Sequence, residues 1–197
     1  MDYNEIHHRI KNNLNMIASI LGLQILNLEN KNPHDVKEIL INSKLRIEVV
    51  AMIHESLYQY NNGEDIDFKE YTKKLTHLIL NTYNQNVLVK INTQVAILHE
   101  DTMLRLGIII NELLTNSIKH SFSKSHQKKC IKIGLVEKSG EYIFTYRNPY
   151  NIEADLEKIL HSDTLGIKLI NLTVKQMGGV MQVEQKKGLK FSIIFQQ

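Results

Sequence analysis

Residues 107–122 read GIIINELLTNSIKHSF, and this stretch decides the architecture. Leu104 to Ile110 before it and Leu113-Leu114 within it are too apolar for a surface helix. Their spacing predicts a long, buried helix from Thr102 to about Ser121, capped by Asp101. Glu112, Asn116, Lys119 and His120 interrupt the apolar run at steps of 4, 3 and 1, so they form one polar stripe. A carboxylate, an amide and a lysine aligned on a half-buried helix suit a magnesium–phosphate ligand. The same stripe would also serve as an ordinary solvated face.

On the C-terminal side, Ile131–Val136, Tyr142–Tyr146, Val180–Glu184 and Leu189–Phe195 have strand-like patterns. A helix is expected from Leu165 to Met177, ended by Gly178-Gly179. On the N-terminal side, Val87, Val89 and Ile91 alternate as a strand. Asp67 and Glu70 have capping-box spacing and start a helix through Tyr71, Leu75, Leu78 and Ile79. Helices and strands in this order predict a two-layer α/β sandwich.

Further upstream the pattern is wholly helical. Ile6, Ile10, Leu14, Ile17 and Leu21 mark a first helix to about Asn30; Asn32 caps a second that begins at Pro33. In the second, Val36, Leu40, Ser43, Ile47, Val50, His54 and Leu57 alternate by 4 and 3, the spacing of a bundle seam. An antiparallel hairpin cannot cover this seam together with Met16, Ile20, Leu23, Ile39, Met52 and Ile53. Two hairpins can, as a four-helix bundle, so a homodimer is expected. The composition changes at Asn61-Asn62-Gly63, which divides the chain into a helical hairpin, 1–62, and an α/β domain, 63–197. The expected class is α+β.

Composition narrows the function. The 197 residues carry 24 Lys+Arg against 21 Asp+Glu, a net charge of +3, without the basic excess of a nucleic-acid binder. The single Cys130 excludes a disulfide framework and a cysteine zinc site. No apolar run approaches the roughly 18–20 residues that span a bilayer, and MDYNEIHHRIKNN is no signal peptide. A soluble, cytoplasmic protein with neither nucleic acid nor membrane as partner is expected.

Two more segments carry chemistry. In EIHHRIKNN, residues 5–13, His7 and His8 point about 100° apart on a helix. The apolar stripe runs through Ile6 and Ile10 and leaves His8 on the flank, on one face with Glu5 and Asn12. An exposed imidazole is largely neutral at pH 7 and is a competent nucleophile. A carboxylate on its face can hold the tautomer or take the proton, and Arg9 and Lys11 attract phosphate. The third segment, SDTLGIKLINLTVKQMGG, puts Gly166 at a helix start, where N–H groups and the dipole favour anions. Taken alone, each segment also reads as polar helix surface or a simple turn.

In this order, the three segments resemble the catalytic core of HWE-related sensor histidine kinases. The resemblance covers essentially the whole chain. It implies a helical hairpin that dimerises and carries the phosphoacceptor histidine, followed by a GHKL-type (Bergerat) α/β sandwich that binds ATP and magnesium. It assigns the acceptor to His8, with Glu5 and Asn12 beside it. Glu112, Asn116, Lys119 and His120 fall on the nucleotide-binding helix, Asn116 as magnesium ligand, and Gly166 on the lid-end glycine.

One motif departs. After Thr145-Tyr146 the family has Asp-Asn-Gly, whose aspartate binds the adenine amino group; here the sequence reads Arg147-Asn148-Pro149-Tyr150-Asn151. An arginine has no acceptor for that group, and a proline fixes φ where a glycine gave close backbone access. No glycine lies between Gly140 and Gly166. Arg147 is therefore expected to be a main cause of weak ATP binding. Met1 stands seven positions before His8, which leaves no room for a sensor domain if the chain is complete. The first reading is a histidine phosphotransferase that carries a phosphoryl group on His8, exchanges it with the aspartate of a response-regulator receiver domain, and has an impaired ATP site. An upstream sensor or kinase would feed it. The alternatives are an ATP-dependent kinase core that autophosphorylates His8 and, in another class, a non-catalytic dimeric interaction module.

Overall fold

In the computed structural model the described residues are 18, 21, 22, 33–59, 65–95, 97–121, 129–148, 164–185 and 188–196. The segment bearing Glu5, His7, His8 and Asn12 lies outside them; of the expected first helix, Ala18, Leu21 and Gly22 are helical. The chain forms two compact units, Met1–Ala51 and Met52–Gln197.

Helix α1 (Pro33–Gln59) begins at the proline, whose missing N–H costs nothing in a first turn. In the first unit its seam has two different surroundings. Ser43 and Val50, seven residues apart, are buried with Leu45 and Val49, whereas Leu40 is 61% exposed and Ile47 38%. The Ser43 hydroxyl donates back to the Ile39 carbonyl at 2.9 Å, which satisfies it without a partner outside the helix.

The second unit opens with β1 (Asp65–Asp67) and α2 (Phe68–Thr82). Asp67 caps α2 by accepting the Glu70 N–H at 2.7 Å, half of the box the spacing predicts. Phe68, Tyr71, Leu75 and Ile79 follow at helical spacing and are buried. Strand β2 (Leu88–Thr93) is followed by β3 (Ile97–His99), which pairs antiparallel with β1 in a small second sheet. Three-residue strands have too little alternation to be seen in sequence.

Helix α3 (Glu100–Asn116) continues into a π-helical turn, Ser117–Ser121. Its cap is His99, whose Nδ1 accepts the Asp101 N–H at 3.4 Å, rather than Asp101; the helix starts earlier than the sequence pattern suggests. Strands β4 (Cys130–Lys138) and β5 (Glu141–Asn148) form a hairpin. Its two-residue turn has Ser139 at φ 55° and Gly140 at φ 82°, the left-handed pair that a right-twisted hairpin requires. Helix α4 (Leu165–Gln176) ends with the Gly179 N–H bonded to the Val174 carbonyl at 2.9 Å, a Schellman closure in which Gly178 takes φ 62°. Strands β6 (Val180–Gln185) and β7 (Leu189–Phe195) complete the unit.

The main sheet has the order β2-β4-β5-β7-β6. Its β2–β4 pair is parallel and the other three pairs are antiparallel. Helix α3 contacts both α2 and α4. Ile131, Ile133 and Leu135 of β4, Phe144 and Tyr146 of β5, and Phe191, Ile193 and Phe195 of β7 are buried at alternate positions on the helix side. This is the expected two-layer α/β sandwich of the GHKL type. Among the described residues, no helix is long and apolar enough to cross a membrane.

Candidate functional site

The site forms where the end of α3 meets the start of α4. The apolar periodicity that buries α3 also buries its polar interruption: Glu112 is 3% exposed. Its Oε1 accepts a hydrogen bond from Asn111 Nδ2 at 3.1 Å, and Asn111 is itself fully buried. The remaining oxygen, Oε2, looks toward α4. A β-carbon on Gly166 would lie 2.9 Å from Glu112 Oε2, 3.7 Å from Asn116 Nδ2 and 3.9 Å from Asn116 Oδ1. Gly166 is needed here for space, since only a bare backbone lets the first turn of α4 settle on these side chains. A carboxylate at a helix start is in turn favoured by the dipole.

Glu112, Asn116 and Gly166, separate in sequence, thus share one corner of the fold. Lys119 and His120 come next along the chain. Both lie in the π turn, Lys119 half-buried and His120 exposed.

A second contact ties this corner to the sheet. Ser117, directly after Asn116, donates its one hydroxyl proton to the Leu113 carbonyl at 2.9 Å. Its oxygen is 2.8 Å from the Tyr146 hydroxyl, so the tyrosine donates. Burial pushes the Tyr146 phenol well above its ordinary range. Two residues along β5 on the same face is Asn148, 3% exposed. Arg147, between them, emerges on the opposite side of the sheet, in register with Lys132 and Lys190. The expectation that Arg147 lies against a bound base is therefore corrected: strict alternation turns it away, and Asn148 is the polar residue on the helix side. Sequence reasoning missed Asn148 although the signal was present in the period of two through Phe144 and Tyr146.

Asn116 and Glu112 offer amide and carboxylate oxygens, the hard donors magnesium prefers. Among the described residues, no group of three or more His, Cys, Asp or Glu side chains could hold a metal ion by itself. Asn116 and Glu112 would hold a magnesium ion only together with a ligand's oxygens, and the ion would supply a counter-charge to phosphates. Gly166 at the start of α4 leaves backbone close to the same place, which fits an anionic ligand.

The sandwich, the polar end of α3 and the glycine-started α4 have the fold of solved histidine kinase domains. Residues 5–83 match the HisKA_2 histidine kinase family, a span that includes Glu5, His8 and Asn12. That match covers the N-terminal part of the chain, and over it the chain is similar to HWE-type histidine kinases. It is 27% identical over 176 residues to the sensor histidine kinase PdtaS of Mycolicibacterium smegmatis, covering 86% of this chain and 34% of that protein. It is also 27% identical over 165 residues to PdtaS of Mycobacterium tuberculosis, covering 83% of this chain and 29% of that protein. The chain spans about a third of the length of these curated relatives.

Solved structures agree on the fold. The histidine kinase domain of the blue-light activated histidine kinase from Erythrobacter litoralis superposes with a TM-score of 0.67 at 20% identity, covering 98% of this chain and 89% of that one. Acinetobacter baumannii histidine kinase AdeS gives a TM-score of 0.54 at 15% identity over 96% of this chain and 97% of that one.

Proposed function

We propose that this chain is the ATP-dependent core of a two-component sensor histidine kinase, which phosphorylates itself on His8 and passes the group to the aspartate of a response-regulator receiver domain. The observation that carries the proposal is the packing of Gly166 against Glu112 and Asn116, which leaves oxygen donors and helix-start backbone facing one corner. Bound there, Mg-ATP supplies the phosphoryl group. Asn116 and Glu112 would hold the magnesium that carries the phosphates, the start of α4 would favour the phosphate charge, and Asn148 lies on the helix side where the base could bind. His8 would contribute an imidazole nitrogen as nucleophile, forming an N–P bond as the bond from the γ-phosphorus to the bridging oxygen breaks and ADP leaves. Glu5, three positions before it in sequence, would take or orient the ring proton, and Asn12, four positions after, would steady the ring. The hairpin helices pair as a homodimer through Leu40 and Ile47, which are exposed in the single chain.

Incubation with γ-labelled Mg-ATP tests the proposal: the chain should take up label, and His8→Gln should abolish it. The phosphotransferase reading keeps one specific support, Pro149 in place of a glycine and a glycine-free run from Gly140 to Gly166. It wins if ATP gives no label while a phosphorylated receiver domain labels His8.

A further inference from the structure

The face of the main sheet turned away from the helices is organised in rows. The strand registers place Lys90 of β2 beside Lys132 of β4, Lys132 beside Arg147 of β5, Arg147 beside Lys190 of β7, and Lys190 beside Glu184 of β6. Four cations therefore cross the sheet in one line, over about 15 Å at the usual strand spacing. A single acidic residue ends the line: Glu184 Oε2 lies 3.6 Å from Lys190 Nζ. Lys90 and Lys132 are exposed. Like charges directly opposite one another weaken a sheet, so the row is no device for holding the strands together.

The neighbouring row is short and polar: Asn92, Gly134, Thr145, Ser192 and Gln182. At its centre Gly134 has no side chain, and a β-carbon there would meet Thr145 Oγ1 at 2.7 Å. This makes a shallow trough. The next row is apolar, Val136, Ile143, Ile194 and Val180, about 13 Å from the cations. A cationic ridge and an apolar ridge separated by a low trough match one α-helix, whose diameter with side chains is about 10–12 Å.

We propose that this open face is a docking surface for an amphipathic helix of a protein partner, lying across the strands in the trough with an acidic flank over Lys90, Lys132, Arg147 and Lys190 and an apolar flank over Val136, Ile143 and Ile194. Charge complementarity selects the partner's sign, and the apolar row selects a folded protein element over a polyanion. The trough row contains no aromatic side chain on which nucleic-acid bases could stack. The apolar row lies away from the cations rather than among them, which does not suit a membrane surface. The proposal is independent of whether nucleotide binds.

The test uses the whole chain and a fluorescent, cross-linked 14-residue helical peptide with glutamates on one flank and leucines on the other, followed by fluorescence polarisation. Lys90→Glu with Lys132→Glu should weaken binding by about tenfold or more. Lys73→Glu with Lys74→Glu, the same change of net charge on exposed positions of α2, should shift it by less than about threefold. Thr145→Arg is decisive, because it adds positive charge but fills the trough: docking predicts weaker binding, diffuse attraction predicts tighter. The Lys90 and Lys132 substitutions should leave the thermal midpoint nearly unchanged, since one like-charge pair (90–132) replaces another while residue 132 becomes opposite in sign to Arg147, so lost binding with intact stability supports a surface role. Equal loss in the α2 control, tighter binding by Thr145→Arg, no peptide binding, or tighter binding to phosphatidylserine vesicles or single-stranded DNA than to the peptide would overturn the proposal.

Discussion

Arg147 and Asn148, adjacent in β5, leave the sheet on opposite faces, the arginine in register with Lys132 and Lys190 and the asparagine buried on the helix side. Sequence position alone would make the arginine a steric and electrostatic obstacle to a nucleotide base. Geometry assigns the helix side to the asparagine, whose amide can both donate and accept.

Nucleotide affinity should follow that geometry. Asn148→Ala is expected to weaken Mg-ATP binding by about ten- to a hundredfold, the loss of one buried hydrogen bond of about 1–3 kcal/mol. Arg147→Asp should change it by less than about threefold, because its side chain is screened by the sheet. Calorimetry on the two variants checks this; a large gain in Arg147→Asp would restore the arginine as the defect.

Gly166→Ala tests the corner itself. At an open helix position the change would stabilise by about 0.5–1 kcal/mol. Here the new β-carbon would stand 2.9 Å from a carboxylate held by Asn111, so the expected outcome is a loss of about 1–3 kcal/mol. Urea unfolding gives the sign, and Mg-ATP affinity should fall with it.

Phosphorylation should reside on His8 and not His7, because the face holding Glu5 and Asn12 passes through residue 8. His7→Gln is expected to retain label and His8→Gln to lose it. The opposite pattern, read by phosphohistidine detection on each variant, would reverse the assignment.

Ile47→Glu should convert a dimer to a monomer in sedimentation equilibrium at micromolar concentration. The residue lies seven positions from Leu40 on the exposed part of α1, and burying an unpaired carboxylate there costs several kcal/mol, roughly a thousandfold in association. A monomeric parent would refute the dimer.

The buried phenols of Tyr71 and Tyr146 are both pushed up by burial, which sets the alkaline behaviour. A raised phenol holds its proton in the folded chain while the unfolded chain loses it near pH 10. Stability is thus fully present below about pH 10 and falls as pH rises beyond it. Tyr146→Phe should cost about 1 kcal/mol at pH 7 through the lost bond to Ser117, and should flatten the alkaline fall, as urea midpoints between pH 8 and 11 will report.

The long apolar run through Ile108–Ile110 and the capping pair Asp67 and Glu70 made most of the second unit legible, since burial and capping leave local traces. The corner between Glu112 and Gly166 was legible only as separate fragments, because nothing local says that the start of one helix will sit on another. The π turn was not legible: its residues, Ser117 to Ser121, have no composition that separates them from a continuing α-helix. The face on which Arg147 leaves the sheet was not legible for a different reason. Motif matching carries position but not side-chain direction, and one residue of phase inverts the face.

The strand order has a consequence for biosynthesis. β7, at residues 189–195, is an interior strand, inserted between β5 and β6. The sheet's middle therefore stays open until those residues have left the ribosome, and β5, with Phe144 and Tyr146, waits with one edge unpaired. Folding of this unit cannot be completed before β7 has been made, and nascent chains stalled before residue 189 should be sensitive to protease and prone to associate through that edge.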